Sequence, residues 1–478
     1  MIDKHRFNLS RRAVLAGAAL SFLTPSLARP AGGSEGQIKA FSLRAKPDRV
    51  GLLASSSAQT EVWAFNAHVP GPEIRVRQND RVRITAENAL MQTTTIHWHG
   101  IRVPNAMDGV PNLTQDPIPP GGRFLYEFDV PDAGTYWYHP HERSFEQVGR
   151  GLAGPLIVEE TEPLAVDRDL VWVLDDWRLT PTGAMVDDFG NMMDVAMAGR
   201  IGNTVTVNGQ VAGSDFLLRA GERLRLRLVN AANARIFALT FEGHAPHVIA
   251  LDGQPVDPFP IRDELLVLAP GQRADIVLDA SARPGDRLRV FDRFYAQQSY
   301  ALVTFQYTQE SPLRESPLDA SIALPSNTFL RPNPAKAERA QIALSGGMMG
   351  MMGGGMMQGR GMGMMARSQG GVWAINGVSQ TGHLSGPLMT LERGRSYIFE
   401  MINASVFAHP MHLHGHVFRV VSRNGVAITG DEWRDTVLVN SQERVEIAFV
   451  ADNPGNWMFH CHILEHQAGG MMANIRVR

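Results

Sequence analysis

The chain reads as an all-β protein of three Greek-key β-sandwiches. Alternating strand-like runs along its length and two internal repeats predict this. Runs such as Arg81-Val82-Arg83-Ile84 and Arg223 to Val229 alternate polar and apolar residues between Gly, Pro and Asn, the pattern of strands with one buried face. In the first repeat, Gly71-Pro72-Glu73-Ile74-Arg75 leads through Val82 and Ile84 to Asn88. Phe216-Leu217-Leu218-Arg219 leads likewise through Leu224, Leu226 and Leu228 to Asn230, and Gly386-Pro387-Leu388-Met389 through Tyr397, Phe399 and Met401 to Asn403. The second repeat is Pro120-Gly121-Gly122-Arg123, Pro270-Gly271-Gln272-Arg273 and Ser441-Gln442-Glu443-Arg444, each opening an alternating strand. Three copies of a supersecondary unit imply three similar domains in series.

Taken in order, residues 1–28 read as a leader. Ser10-Arg11-Arg12 precedes an apolar run from Ala13 to Leu23 and then Ser26-Leu27-Ala28, a twin-arginine export signal with a small-residue cleavage site. The run is shorter than the roughly 20 apolar residues of a spanning helix. The expectation is export of the folded chain to a bacterial periplasm, with no membrane span in the mature protein. Domain 1 is placed at 35–163, domain 2 at 164–330 and domain 3 at 331–478. With 478 residues and 44% hydrophobic content, the chain can fill two or three cores. A net charge of −3 argues against a nucleic-acid partner, and a monomer is expected. In domains 1 and 3 a glycine and an aromatic stretch lead to histidine: Gly134-Thr135-Tyr136-Trp137-Tyr138-His139 and Gly455-Asn456-Trp457-Met458-Phe459-His460. The matching stretch of domain 2, Gly285 to Phe291, has neither His nor Cys, so domain 2 reads as a spacer that contributes none of these residues.

The one cysteine, Cys461, cannot form an internal disulfide and lies between two histidines, His460-Cys461-His462, followed by His466 and Met471. Thiolate, imidazole and thioether at this spacing suit a blue electron-transfer copper, which needs a second imidazole. His409 is the candidate. Side chains alternate along a strand, so Cys461 should face one way while His460 and His462 face the other. The same H-x-H spacing recurs in His97-Trp98-His99, His139-Pro140-His141 and His412-Leu413-His414. Eight imidazoles exceed one ion's needs and suit a three-copper cluster. With His409, Cys461, His466 and Met471 the count closes on four coppers. Because the pairs come from domains 1 and 3, the cluster must lie between those domains.

The segments H-W-H-G, H-P-H, H-P-M-H-L-H-G and H-C-H-x3-H-x4-M resemble, in order, the copper signatures of the multicopper oxidases, over essentially the whole chain after the leader. The resemblance implies domains of cupredoxin type and the following ligands. The type 1 copper takes His409, Cys461, His466 and axial Met471, with Met472 the neighbouring alternative. The type 2 copper takes His97 and His412. One type 3 copper takes His99, His139 and His462, and the other His141, His414 and His460. It also implies four-electron reduction of O2 to water at the expense of a one-electron reductant that enters at His409 or His466. Asp108 matches the acid that family members place beside the type 2 copper. Where an acid often follows the second type 1 histidine this chain has Gln467, which leaves Glu465, Asp116 or water to supply protons.

Residues 346–367 form a Gly/Met-rich loop holding Met348, Met349, Met351, Met352, Met356, Met357, Met362, Met364 and Met365. Thioethers select Cu(I), and these residues are read as capturing it. The loop precedes Val372-Trp373-Ala374-Ile375-Asn376-Gly377, taken as the entry to the strands of domain 3. Such loops mark the periplasmic cuprous oxidase branch. That branch places Asp and Met before H-P-x-H, where this chain has Ser405-Val406-Phe407-Ala408. The smaller group Met185, Met192, Met193 and Met197 reads as packing around a loop or short helix, with contact to copper as the alternative. The expected function is oxidation of Cu(I) for copper tolerance. The alternatives are a laccase-like oxidase of phenols or aromatic amines using an open groove at His409, and a copper-sequestering protein. His68, His244, His247, His383 and His416 read as structural or surface.

Overall fold

The computed structural model describes residues 38–53, 59–261, 265–347 and 371–478. The expected leader and all nine methionines from Met348 to Met365 lie outside the described residues. The described chain forms three successive pairs of sheets. The first pairs a four-stranded sheet (Thr60–Phe65, Ile38–Val50, Arg81–Asn88, Arg123–Asp129) with another (Ile74–Arg77, Gly154–Glu159, Gly134–His139, His97–His99). Leu43, Ile84, Trp98, Tyr126 and Leu156 fill the space between them. The second pairs seven strands centred on Arg223–Asn230 with five centred on Arg287–Asp292, around Leu224, Leu226, Phe237 and Ile276. In the third, seven strands centred on Arg444–Val450 join five ordered Met389–Leu391, Met472–Val477, Gly455–Cys461, His409–Leu413 and Thr436–Val439. Among the described residues no helix is long and apolar enough to cross a membrane.

The repeat seen in sequence is a repeat of topology. Each unit has one parallel pair that includes the strand ending in Asn: Ile38–Val50 with Arg81–Asn88, Arg168–Trp177 with Arg223–Asn230, and Glu338–Gly346 with Ser396–Asn403. The two strands of the first sequence repeat are not sheet partners. Ile74–Arg77 and Arg81–Asn88 lie in opposite sheets, so the polar turn between them carries the chain across the sandwich. Apolar residues of both strands can then face the same interior.

The terminal asparagines are corner pieces. Asn88, Asn230 and Asn403 each accept from the backbone N–H two residues on and donate to carbonyls across the corner. Buried backbone groups need such partners, and Asn supplies donor and acceptor together. The second repeat is a left-handed turn. Gly121, Gly271 and Gln442 hold φ of 74°, 83° and 59°, and the strands begin at Arg123, Arg273 and Arg444.

The entry to the third sandwich differs from the sequence expectation. Its first strand is Glu338–Gly346, before the Met-rich segment, and it pairs antiparallel with Trp373–Ile375 in the register Gly346↔Trp373. The strands that flank the segment in sequence therefore belong to one sheet.

Candidate metal centre

Alternation along short strands aims the histidines. His97 and His99 leave one face of the strand His97–His99, and Trp98 enters the first core from the other. His97 lies in register with His139, and His412 with His460. In three pairs the second histidine lies just past its strand's end, because the strands stop at His139, Leu413 and Cys461. The spacing still carries both rings to one side. All eight imidazoles are buried where the first and third sandwiches meet. His99 stacks on His412 at 3.8 Å between ring centroids, and His97 on His414 at 3.9 Å, each pairing a ring from one sandwich with one from the other. His141, His414 and His460 lie 4.8–5.2 Å apart. His99, His139 and His462 lie 4.9–5.8 Å apart, and His97 and His412 5.7 Å apart.

Two aspartates orient these rings with a crossed symmetry. The carbonyl of Asp108 receives His97 Nδ1 at 2.8 Å, while its carboxylate lies 2.9 Å from Nδ1 of His414 in the other sandwich. The carbonyl of Asp435 receives His412 Nδ1 at 2.9 Å, while its carboxylate lies 3.1 Å from Nε2 of His99. Each aspartate thus ties its own sandwich's histidine through the backbone and the other's through the side chain. Nitrogens on the far side of these rings, His97 Nε2, His99 Nδ1 and His412 Nε2, are buried without partners, as are His139 Nε2 and both nitrogens of His141 and His462. His414 Nε2 and His460 Nε2 face each other at 3.1 Å. Burial, then the repulsion of neighbouring rings, holds His99, His139, His141, His414, His460 and His462 well below the ordinary histidine range. These are neutral imidazoles with lone pairs aimed into one space, a donor set that fits a cluster of copper ions.

The second sandwich is more than a spacer. Arg273, fully buried, grips Asp435 with both arms at 2.8 and 2.6 Å. Gly271 packs on the His462 ring, which a Cβ there would meet at 2.7 Å, and its φ of +83° also favours glycine. Burial works against ionisation of Asp435, but Arg273 and His412 hold its carboxyl below the usual carboxylate range.

Cys461 faces the other way, into the third core with Met411 and Met471. Its Sγ lies 3.5 Å from His409 Nδ1 and 3.7 Å from His466 Nδ1. His466 Nε2 donates to the Met197 carbonyl at 2.7 Å, which leaves Nδ1 as the lone-pair nitrogen facing the sulfur. His409 Nε2 meets Ser405 Oγ at 2.8 Å; that hydroxyl has Asn403 Oδ1 and the Phe407 carbonyl to donate to, and so can accept from His409. Burial pushes His466 down to about 3 and raises the Cys461 thiol. The thiol is inert until a cation stabilises the thiolate. The backbone Cys461 N–H donates to the Met471 carbonyl at 3.0 Å, and Met471 packs in the same core as Cys461. These donors fit a single copper.

The surroundings bear on three expectations. His409 and His466 are buried, their outer nitrogens are taken, and Trp373 packs on both at 4.9 and 4.2 Å, so among the described residues no open groove reaches His409. The Trp373 indole donates to the Val195 carbonyl, so the helix Met192–Ala196 is fastened over the thiol set, with Met192 and Met193 exposed. Met197, read as packing, thus supplies the carbonyl that orients His466. Glu465, proposed as a proton source, turns instead to Asn233 at 2.9 Å, and no hydrogen bond among the described residues joins it to a cluster imidazole. Its burial pushes it up to about 7, against the Arg200 N–H and Asn233. Asp116 is exposed. Gln467 receives Ser144 Oγ at 3.2 Å. His416 is buried between Phe449 and Trp457, and His383 bonds Asn112. The roles of Asp435, which no motif marks, and of Arg273, which the repeat marks only as a strand start, were not read from the sequence.

Comparison with known proteins yields three family models, each described as multicopper oxidase, matching residues 50–163, 168–308 and 360–478. The chain is 28% identical to multicopper oxidase MmcO of Mycobacterium tuberculosis, covering 99% of this chain and 97% of that one. It is 25% identical to a copper resistance protein A homolog of Pseudomonas syringae pv. tomato, covering 98% of each. Among solved structures it matches a multi-copper oxidase of Pseudomonas thermotolerans with 34% identity and a TM-score of 0.81, covering 93% of this chain and 100% of that chain.

Proposed function

The chain belongs to the multicopper oxidase family, and from that premise we propose that it oxidises Cu(I) in the periplasm and serves copper tolerance. His409, Cys461, His466 and Met471 would hold the type 1 copper, and His97 and His412 the type 2 copper. His99, His139 and His462 would hold one type 3 copper, and His141, His414 and His460 the other. When bound, these four ions supply one-electron oxidation and the four-electron reduction of O2 to two waters. The protein supplies position and insulation. Ser405 and the Met197 carbonyl fix the two imidazoles beside Cys461, and the backbone of His460-Cys461-His462 joins that set covalently to the cluster imidazoles. Asp108 and Asp435 hold the cluster rings against the pull of bound ions. Asp108, buried between His97 and His414, would pass protons there.

One observation supports Cu(I) as the reductant. The strands that flank the Met-rich segment in sequence, Glu338–Gly346 and Trp373–Ile375, pair with each other, and Trp373 packs on both imidazoles of the thiol set. The thioethers of that segment would offer soft donors for Cu(I), while among the described residues the outer nitrogens of His409 and His466 are already taken. A twin-arginine leader and a relative named for copper resistance agree with that role. The test is oxygen uptake with Cu(I) and with a phenol, before and after deletion of residues 348–365. Cu(I) oxidation should fall and phenol oxidation should stay equal or rise. Loss of phenol oxidation with Cu(I) oxidation intact would replace this reading with a laccase.

A further inference from the structure

Between the second and third sandwiches lies a surface cleft of about 470 Å3, walled in part by Gln254, Phe259, Phe329, Asp431, Trp433 and Arg434. Behind its wall sits the carboxyl of Asp252, fully buried. Asp252 accepts from the backbone N–H of Arg273 at 3.0 Å and of Thr436 at 3.3 Å, and Arg434 stands 3.8 Å away on the cleft side. The buried charges do not balance. Asp252 and Asp435 are two carboxylates, and Arg273, the one cation buried between them, spends its fork on Asp435. Arg434 is already engaged by Glu432 at 2.5 Å. An excess buried carboxylate beside a solvent cleft is relieved by taking up a proton.

We propose that Asp252 is a proton-loading site for the cluster, filled from this cleft and coupled through Arg273 and Asp435 to His99 and His412. The inference rests on the oxidase reading above, because reduction of O2 to two waters consumes four protons. Arg273 also bonds the Asp252 carbonyl, so a charge change at Asp252 is felt by the group that holds Asp435 on His99. Thr436 closes the path, since its hydroxyl lies 3.1 Å from both His99 Nε2 and His412 Nδ1. Burial, then the charge of Asp435, pushes Asp252 up to about 6, against Arg273 and Arg434. The other groups near this unit are Glu432, which holds Arg434, and Tyr136 of the first sandwich, whose ring lies under Arg273. Asp252 is a positioning residue, since it touches no imidazole.

The test uses the full chain in two forms. In the copper-free protein, infrared spectroscopy should show a buried carboxylic acid that ionises with a midpoint of about 6. Asp252→Asn should abolish that signal and Asp252→Glu restore it. Arg434→Gln keeps the buried pair intact and removes a positive charge, so it should move the midpoint up. In the copper-loaded protein at saturating reductant, Asp252→Asn should lower oxygen uptake about tenfold above about pH 7, with Asp252→Glu recovering the wild-type profile. Anaerobic bleaching of the thiolate colour should not change. An Asp252→Asn protein with the wild-type infrared titration or pH profile would overturn the proposal, as would an unmoved midpoint in Arg434→Gln. A wild-type protein that consumes no O2 would instead sink the oxidase reading, while the infrared arm still decides whether Asp252 loads a proton.

Discussion

Two kinds of residue meet at the metal centre, and they differ in what their loss should do. Cys461 is a donor. Cys461→Ser removes the thiolate, so the copper-loaded variant should lack the intense blue absorption and turn over no reductant. A blue variant protein would refute the assignment. Asp108 and Asp435 touch the rings rather than the ions. Asp108→Asn and Asp435→Asn should each cut oxygen reduction about 10–100-fold, while reductant still bleaches the thiolate colour without oxygen. Their stabilities should separate them. Asp435→Asn strands the Arg273 guanidinium in a fully buried site and should cost about 3–5 kcal/mol in chemical denaturation. Asp108 has no arginine partner, so Asp108→Asn should cost clearly less. Equal costs would mean that the Arg273–Asp435 pair does not carry the load given to it here.

At the scale of elements, the recurring Asn corner separates folding from function. Asn403 donates to the Phe407, Val439 and Asn440 carbonyls and accepts from the Ser405 N–H and hydroxyl, and Ser405 in turn holds His409. Asn230 makes the equivalent bonds to Arg235, Leu268 and Ala232, and none of its hydrogen-bond partners holds a donor of the thiol set. Both Asn403→Ala and Asn230→Ala should destabilise by about 2–4 kcal/mol, as expected for several buried groups left unpaired. Only Asn403→Ala should also shift the blue absorption band. An unshifted band would show that Ser405 and His409 keep their places without the corner.

For the whole molecule, the cluster is a joint between sandwiches. Four buried imidazoles from the first face four from the third, and six of the eight carry buried nitrogens without a partner in the protein. Ions that bind the folded state alone stabilise it by mass action. Copper removal by a chelator should therefore lower the thermal midpoint by about 10 °C or more, and copper should restore it. A midpoint indifferent to copper would argue that the sandwiches dock independently of the cluster.

Much of this was legible beforehand. The all-β fold and the three-fold repeat follow from alternation and turn chemistry, which are local. The H-x-H pairs and Cys461 stand out because few residue types bind copper and a strand forces their spacing. Asp435 was hidden. Asp108 lies 11 residues after the His97 it receives, and Asp435 lies 23 after His412, so no common spacing marks the two as equivalents. Arg273 was hidden differently: it opens a strand in the same repeat as Arg123 and Arg444, and nothing in that repeat shows which arginine is swallowed by another sandwich. The sequence by itself determined the fold class, the family and the list of candidate donors, since each depends on residue type and short-range period. Only the tertiary structure decided that Trp373 and the Met197 carbonyl close the thiol site, that Gly271 and Arg273 bring the second sandwich to the cluster, and that Asp252 is left with an uncompensated charge. Those outcomes depend on which surfaces of distant segments are pressed together, and on how much water that contact excludes.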